Sequence, residues 1–188
     1  NNNITFKDTP LNSILTQNDI QNDRMQHTVT YTLQGKYSSI ECSNCNQCNG
    51  AKEIVATAAG DNAFIVCTSL ERVIISNDVT SIGDHAFYGC RSLSSVDIGD
   101  QVKSIGQYSF YDCSSLSSIN VHQDNEKFSS KDGILFSKNE KTLYTYPVGK
   151  PDPSYTIPDG VTRIGDSAFE SCSSLSSVDI GDQVASIG

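Results

Sequence analysis

Three cysteines near the N-terminus have the spacing of a metal-binding motif. Cys42, Cys45 and Cys48 follow one another at intervals of three residues, and cysteine thiolates are preferred ligands of zinc. A structural zinc site needs four ligands, so the fourth would have to be His27 or a cysteine further along the chain. In a surface protein the same cluster is at least as compatible with a disulfide bond inside an N-terminal cap, and free thiols remain a third alternative. The sequence assigns no metal ion, and these three cysteines are named as candidate ligands without an assignment.

The other reactive side chains do not form a catalytic motif. His27, His85 and His122 occur at unrelated positions, and the sequence has no nucleophile elbow, phosphate-binding loop or H-E-x-x-H motif. Asp124 and Glu126 lie close to His122, but a solvated loop accounts for this cluster. We therefore expect neither an enzyme nor a cofactor.

Charge and hydrophobicity exclude two classes of partner. The chain of 188 residues has 13 basic and 22 acidic residues, which gives a net charge of −9. Nucleic acids and anionic membrane surfaces select clustered lysine and arginine, so neither is an expected partner. No apolar run approaches the roughly 18–20 residues of a membrane span.

The strongest pattern in the chain is a period of 23 residues. It aligns the segments that follow Gly60, Gly83, Gly106 and Gly165, and the last of these closes at Gly188. Self-similarity at this length is typical of a solenoid in which one supersecondary unit is repeated, and each unit buries its apolar face only against its neighbours.

Each position of the repeat has a predicted role. Val96 and Ile98 alternate with Ser95 and Asp97, so a short strand should bury the first pair and expose the second. Stacked units would pair these strands in a parallel sheet on the concave face. The column glycine should allow a tight bend or a positive φ. The segment 84–90 fits one short helical turn, with Phe87 as the large core residue.

Four cysteines share one repeat position and are predicted to be buried free thiols. Stacked side chains point the same way, which leaves neighbouring Cβ atoms too far apart for a disulfide ladder. These residues are Cys67, Cys90, Cys113 and Cys172.

The repeat resembles the BspA-like leucine-rich-repeat family. Its pattern stands here as Ile82-Gly83-x-x-Ala86-Phe87-x-x-Cys90-x-x-Leu93-x-x-Val96-x-Ile98 and returns from Ile164 to Ile180. The match covers about residues 59–188. It implies an α/β leucine-rich-repeat solenoid with a parallel concave sheet, a β-rich N-terminal cap and a β-hairpin insertion. It also implies a secreted or cell-surface adhesin of the kind found in host-associated bacteria and mucosal protists.

The repeat is interrupted at about residues 122–157. Two apolar runs, 131–136 and 141–147, predict an antiparallel hairpin. This insertion resembles the D-G-x-L-F…L-x-x-Y-P island of many BspA-like arrays. Its aromatic side chains, including Tyr144 and Tyr146, either bind a ligand or cover the core where a regular coil is missing.

The chain divides into three predicted regions. Residues 1–24 form a polar N-terminal segment, residues 25–58 a β-rich cap, and residues 59–188 the solenoid with its hairpin island. The period stops partway through a coil at Gly188. We expect a fragment of a longer array whose open apolar end, at Val178, Ile180, Val184 and Ile187, could mediate self-association.

The expected function is binding at the outward face of the parallel sheet. The resemblance implies protein or glycoprotein ligands on host matrix, host cells or other microbes. The alternatives are a passive spacer without a ligand, and a metal or redox switch at the cysteine cluster. The candidate ligand-binding residues are Arg72, Ser95, Asp97, Ser118, Asn120, Ser177 and Asp179, together with Tyr144 and Tyr146.

Overall fold

A stack of short parallel strands forms the frame of the protein. The computed structural model describes residues 5–6, 30–34, 37–47 and 50–188. Within these ranges there are sixteen strands: β1 Thr5–Phe6, β2 Thr30–Gln34, β3 Tyr37–Cys42, β4 Glu53–Ala56, β5 Arg72–Ile75, β6 Ser81–Ile82, β7 Ser95–Ile98, β8 Ser104–Ile105, β9 Ser118–Val121, β10 Phe128–Lys131, β11 Ile134–Ser137, β12 Thr142–Thr145, β13 Ser154–Thr156, β14 Arg163–Ile164, β15 Ser177–Asp179 and β16 Ser186–Ile187. The predicted leucine-rich-repeat solenoid is confirmed. The short helical turn predicted in each unit is instead a run of turns, and none of the described residues lies in a helix.

The largest sheet follows the 23-residue period. Its order is β1-β2-β3-β4-β5-β7-β9, and we call it the main sheet. Strands β4, β5, β7 and β9 are parallel, with Val73 opposite Val96 and Val96 opposite Ile119. β2 and β3 form the antiparallel hairpin that the sequence predicted. Since β3 pairs in parallel with β4, the parallel stack starts before residue 59.

Phenylalanine rings and thiols fill the space between coils. Phe64 stacks on Phe87 with 5.0 Å between ring centroids, and Phe87 stacks on Phe110 at 5.8 Å. The thiols of Cys90 and Cys113 donate hydrogen bonds to the carbonyls of Phe64 and Phe87, at 2.9 and 3.0 Å. Both cysteines are fully buried and free, as predicted.

The column glycine has a different role from the one predicted. A Cβ on Gly106 would lie 2.5 Å from the backbone nitrogen of Asp84 in the preceding coil, and a Cβ on Gly83 would overlap Asp61 in the same way. Neither glycine has a positive φ. Glycine is required here because two coils approach closely. The same short distance lets the Asp84 carboxylate accept a hydrogen bond from the Gln107 N–H at 2.8 Å.

Neighbouring coils also share their backbone hydrogen bonds along the turn side, the segments that follow each column glycine. The N–H groups of His85, Phe87 and Gly89 donate to carbonyls of the next coil, at 3.0, 2.9 and 2.9 Å. The accepting residues are Gln107, Ser109 and Tyr111. The preceding coil repeats this arrangement from Asn62, Phe64 and Val66. These two coils therefore satisfy alternate turn-side N–H groups through the coil that follows each of them.

The insertion forms a three-stranded meander. The predicted hairpin is present as β11 and β12, and β10 adds a further antiparallel strand. β12 then pairs in parallel with β14, so the insertion supplies the first return-side strand of the coils that follow it. The insertion lies between two apolar cores, one built from residues 42–135 and the other from residues 134–184.

A disulfide bond ties the N-terminal hairpin region to the first repeat. Cys45 is bonded to Cys67, with a Cα–Cα distance of 5.8 Å. The prediction of a free thiol is therefore wrong for Cys67. Repeat cysteines cannot pair with each other, but Cys67 is reached by a cysteine from outside the array. Cys42 is also disulfide-bonded, and Cys48 lies outside the described residues.

Gly106→Ala should destabilise the protein by about 1–3 kcal/mol, because its Cβ would displace the backbone of the preceding coil. Gly60→Ala is the matched control, since a Cβ at Gly60 meets nothing within 4 Å. Chemical denaturation of both variants measures the effect. Equal stability of the two variants would contradict the close-approach explanation.

Replacing both Cys45 and Cys67 by serine should lower the free energy of unfolding by about 3 kcal/mol, the value for a loop of this length. Denaturant unfolding measures this loss, and peptide mapping without reductant checks the pairing. An unchanged stability would show that the bond does not hold this region in place.

Alkaline pH should destabilise the core through its thiols. Desolvation raises the pKa of Cys90 from 9.0 to about 11, and it also raises the pKa of Cys113. Since the unfolded chain ionises first, stability is complete below pH 9 and falls between pH 9 and 11. Unfolding measured across that range should show a steeper loss than in a Cys90→Ala, Cys113→Ala variant. Parallel curves would contradict the assignment.

Candidate functional site

The outward face of the main sheet carries a hydrogen-bonded polar network. Arg72 donates to the Oδ2 atom of Asp97 from Nε and Nη2, at 3.1 and 2.6 Å. Asn120 Nδ2 donates to Asp97 Oδ1 at 2.8 Å, and Ser118 Oγ lies 2.9 Å from Asn120 Oδ1. Ser95 lies between Arg72 and Ser118 in the same cross-strand row. Five of the predicted site residues are therefore brought together on β5, β7 and β9.

Glu53 extends this network to β4. Its Oε2 atom lies 3.9 Å from Arg72 Nη1. Sequence analysis missed Glu53 because it precedes the first aligned glycine and was assigned to the cap. Exposed ion pairs of this kind add little stability, so their main effect is to orient the side chains of the face.

The last two predicted sheet residues lie apart from this network. Ser177 and Asp179 are exposed on β15, which pairs only with β13 among the described strands. The edge of β9 is covered by the insertion instead: the Ile119 N–H donates to the Gly133 carbonyl at 2.8 Å. The expected polar face is therefore divided into two patches.

The two tyrosines of the insertion have different environments. Tyr144 is 42% exposed and packs edge-on against Phe128. Tyr146 is only 2% exposed, and its ring lies 5.4 Å from that of Phe169. Desolvation raises the pKa of Tyr146 to about 12. The structure therefore buries Tyr146 as the equivalent of the stacked phenylalanines.

A cleft that the sequence did not predict lies beside the insertion. It has a volume of about 740 Å³ and opens between residues 103–112 on one wall and residues 142–148 and 163–171 on the other. Tyr108, 47% exposed, and Tyr144 both line it. The interruption of the period at residues 122–157 was the available signal, because a missing coil leaves its neighbour uncovered.

The metal interpretation of the N-terminal cysteines is wrong for two of the three. Cys42 and Cys45 are oxidised in disulfides and so supply no thiolate ligands. Among the described residues, no three histidine, cysteine or acidic side chains are grouped so that they could hold a metal ion.

The described part of the chain offers no helix with the length and apolar character needed to cross a membrane.

Solved structures of bacterial leucine-rich-repeat proteins resemble this fold. One, from Eubacterium ventriosum, is 21% identical with a TM-score of 0.53, and the match covers 73% of this chain and 50% of that protein. The pneumococcal vaccine antigen PcpA is 23% identical with a TM-score of 0.57, covering 73% of this chain and 44% of its own. A protein from Bacteroides ovatus is 26% identical with a TM-score of 0.50, covering 84% and 41%. The chain thus spans half or less of each of these proteins.

Sequence comparison identifies the family. No curated protein matches the chain. The family model described as the BspA type leucine rich repeat region matches in six copies, over residues 37–132 and 153–188. These ranges include most of the chain and the strands of the main sheet from β3 to β9. The chain therefore belongs to the BspA-type leucine-rich-repeat family.

Proposed function

We propose that the protein is an extracellular or cell-surface binding module that adheres to protein or glycoprotein ligands of host matrix, host cells or other microbes. The family and fold are those of repeat proteins that typically act as non-enzymatic, protein-binding modules. The observation that carries the proposal is the ordered polar network of Arg72, Asp97, Asn120 and Ser118 across the main sheet.

This network suits recognition of a protein surface. Its side chains are exposed or half-buried, and hydrogen bonds hold them in fixed positions before a ligand arrives. Preorganised side chains lose less conformational entropy on binding, which favours affinity. Asp97 accepts from both neighbouring strands, so it is the residue on which the geometry of the face depends.

The disulfide bonds support an extracellular location. Cys45–Cys67 links two segments, and Cys42 is oxidised as well. Disulfides of this structural kind persist in secreted and cell-surface proteins and are rare in a reducing cytosol.

A passive spacer is the second candidate function. It is favoured by the same network, since side chains that bond to one another leave fewer groups for a ligand. The two functions differ in whether this face contacts anything.

Asp97→Arg should reduce adhesion of the purified chain at least about tenfold, because it places a cation beside Arg72 and removes the acceptor shared by two strands. Asp179→Arg tests the second patch. Asp159→Arg is the matched control: it makes the same charge change in an exposed turn outside the strands. Binding to immobilised host matrix glycoproteins and to intact host cells is the measurement, with circular dichroism to confirm folding.

Three outcomes separate the candidates. Loss of adhesion in Asp97→Arg but not in Asp159→Arg supports the main-sheet face. Equal adhesion of all variants would exclude this face. No adhesion by the unmodified chain to any surface tested would favour the spacer.

A further inference from the structure

The coil at residues 106–113 has an open backbone edge in the cleft. In the two preceding coils, three alternate turn-side N–H groups each donate to a carbonyl of the next coil. The equivalent groups here belong to Tyr108, Phe110 and Asp112. Within the described residues none of these three N–H groups has a hydrogen-bond partner, and all three residues line the cleft.

The insertion explains why this edge is open. It satisfies the strand side of the same coil, where the Gly149 N–H donates to the Leu116 carbonyl at 2.7 Å. On the return side, β12 pairs with β14 of the following coil, whereas β8 pairs only with β6 among the described strands. On the turn side the next regular segment would begin near residue 129, but that part of the chain is used for β10 and β11. The wall opposite the edge is formed by residues such as Tyr144 and Val148, which leave a space of about 740 Å³.

The regular coils show which kind of segment pairs with such a backbone edge. The carbonyls that accept these bonds in regular coils come from alternate residues, such as Gln107, Ser109 and Tyr111. The complement is thus a five-residue segment with three carbonyls on one side. Its central residue is small, alanine or serine, and is followed by phenylalanine in each regular coil.

We propose that the cleft binds an extended peptide segment of a partner protein, which takes the place of the missing coil. The peptide's alternate carbonyls accept the N–H groups of Tyr108, Phe110 and Asp112, a small central residue lies against the edge, and an aromatic residue follows it. This mode is the solenoid counterpart of strand addition at an exposed sheet edge. Tyr108 supplies an exposed aromatic contact at the rim.

This site is separate from the face proposed for adhesion. No residue of the network around Asp97 lines the cleft. Asp97→Arg should therefore leave peptide binding unchanged, and loss of peptide binding says nothing about the main sheet.

Amide hydrogen exchange tests the open edge directly. In the free chain the amides of Tyr108, Phe110 and Asp112 should exchange at least about 100-fold faster than those of His85, Phe87 and Gly89, the same positions one coil earlier. Equal protection of the two sets in the free chain would overturn the proposal.

The binding test uses a synthetic peptide with the sequence of residues 104–112, which is a turn-side segment of the array, and peptides selected from a random library. Bound peptide should slow exchange at the three amides at least about tenfold. Replacing the central serine of the synthetic peptide by leucine should abolish its binding, because the position against the edge admits only a small side chain.

Variants of the chain locate the contact. Tyr108→Ala should weaken peptide binding about tenfold, whereas Asn62→Ala, the same column position two coils earlier and outside the cleft, should leave it within about twofold. Circular dichroism confirms that both variants fold. Peptides that bind without protecting the three amides, the absence of any binding peptide, or binding of glycans or of a second copy of this chain at the cleft in place of peptides would each overturn the proposal.

Discussion

The structure depends on backbone hydrogen bonds that each coil can satisfy only through its neighbour. The turn side of a coil is neither helix nor sheet, so its alternate N–H groups need acceptors from outside the coil. Those acceptors are within reach only when adjacent coils lie very close. Gly83 and Gly106 permit that approach, and Asp61 and Asp84 of the preceding coils add side-chain acceptors across the same junctions. The buried cysteine donates to a carbonyl of the preceding coil in the same way.

Much of this arrangement could be predicted from the period alone. Residues at the same position of successive repeats share one environment, so the residue types found there indicate whether that position is buried or exposed. Phe87, Cys90 and Val96 are fully buried as predicted, and Ser95 and Asp97 project from the other face of the strand. The hairpin of the insertion was also predictable, because its two apolar runs are separated by a polar turn.

The sequence-based predictions fell short where the residue that a side chain contacts lies outside the repeat or does not follow its period. Cys67 shares a column with Cys90, but its partner Cys45 is not part of any column. For Tyr146, ligand binding and covering of the core were left as alternatives, although it lies 23 residues before Phe169 and therefore belongs to the phenylalanine column. β10 was missed because Phe128–Lys131 has little apolar alternation, and only its pairing with β11 makes it a strand.

The interruption of the 23-residue period changes which hydrogen-bonding groups of the array are available to a ligand. On the main sheet, Arg72, Asp97 and Asn120 already bond to one another, so a ligand there must replace existing hydrogen bonds or add contacts around them. Within the described part of the chain the three N–H groups of the cleft have no hydrogen-bond partner, so a carbonyl from a ligand would replace no bond seen there. A regular array has no such internal edge, because every coil closes the one before it. The insertion keeps the stack continuous at the main sheet and leaves it open along the turn and return sides. In the regular coils the 23-residue period buries the core and pairs the backbone. Where the insertion interrupts that period, backbone N–H groups become available for recognition.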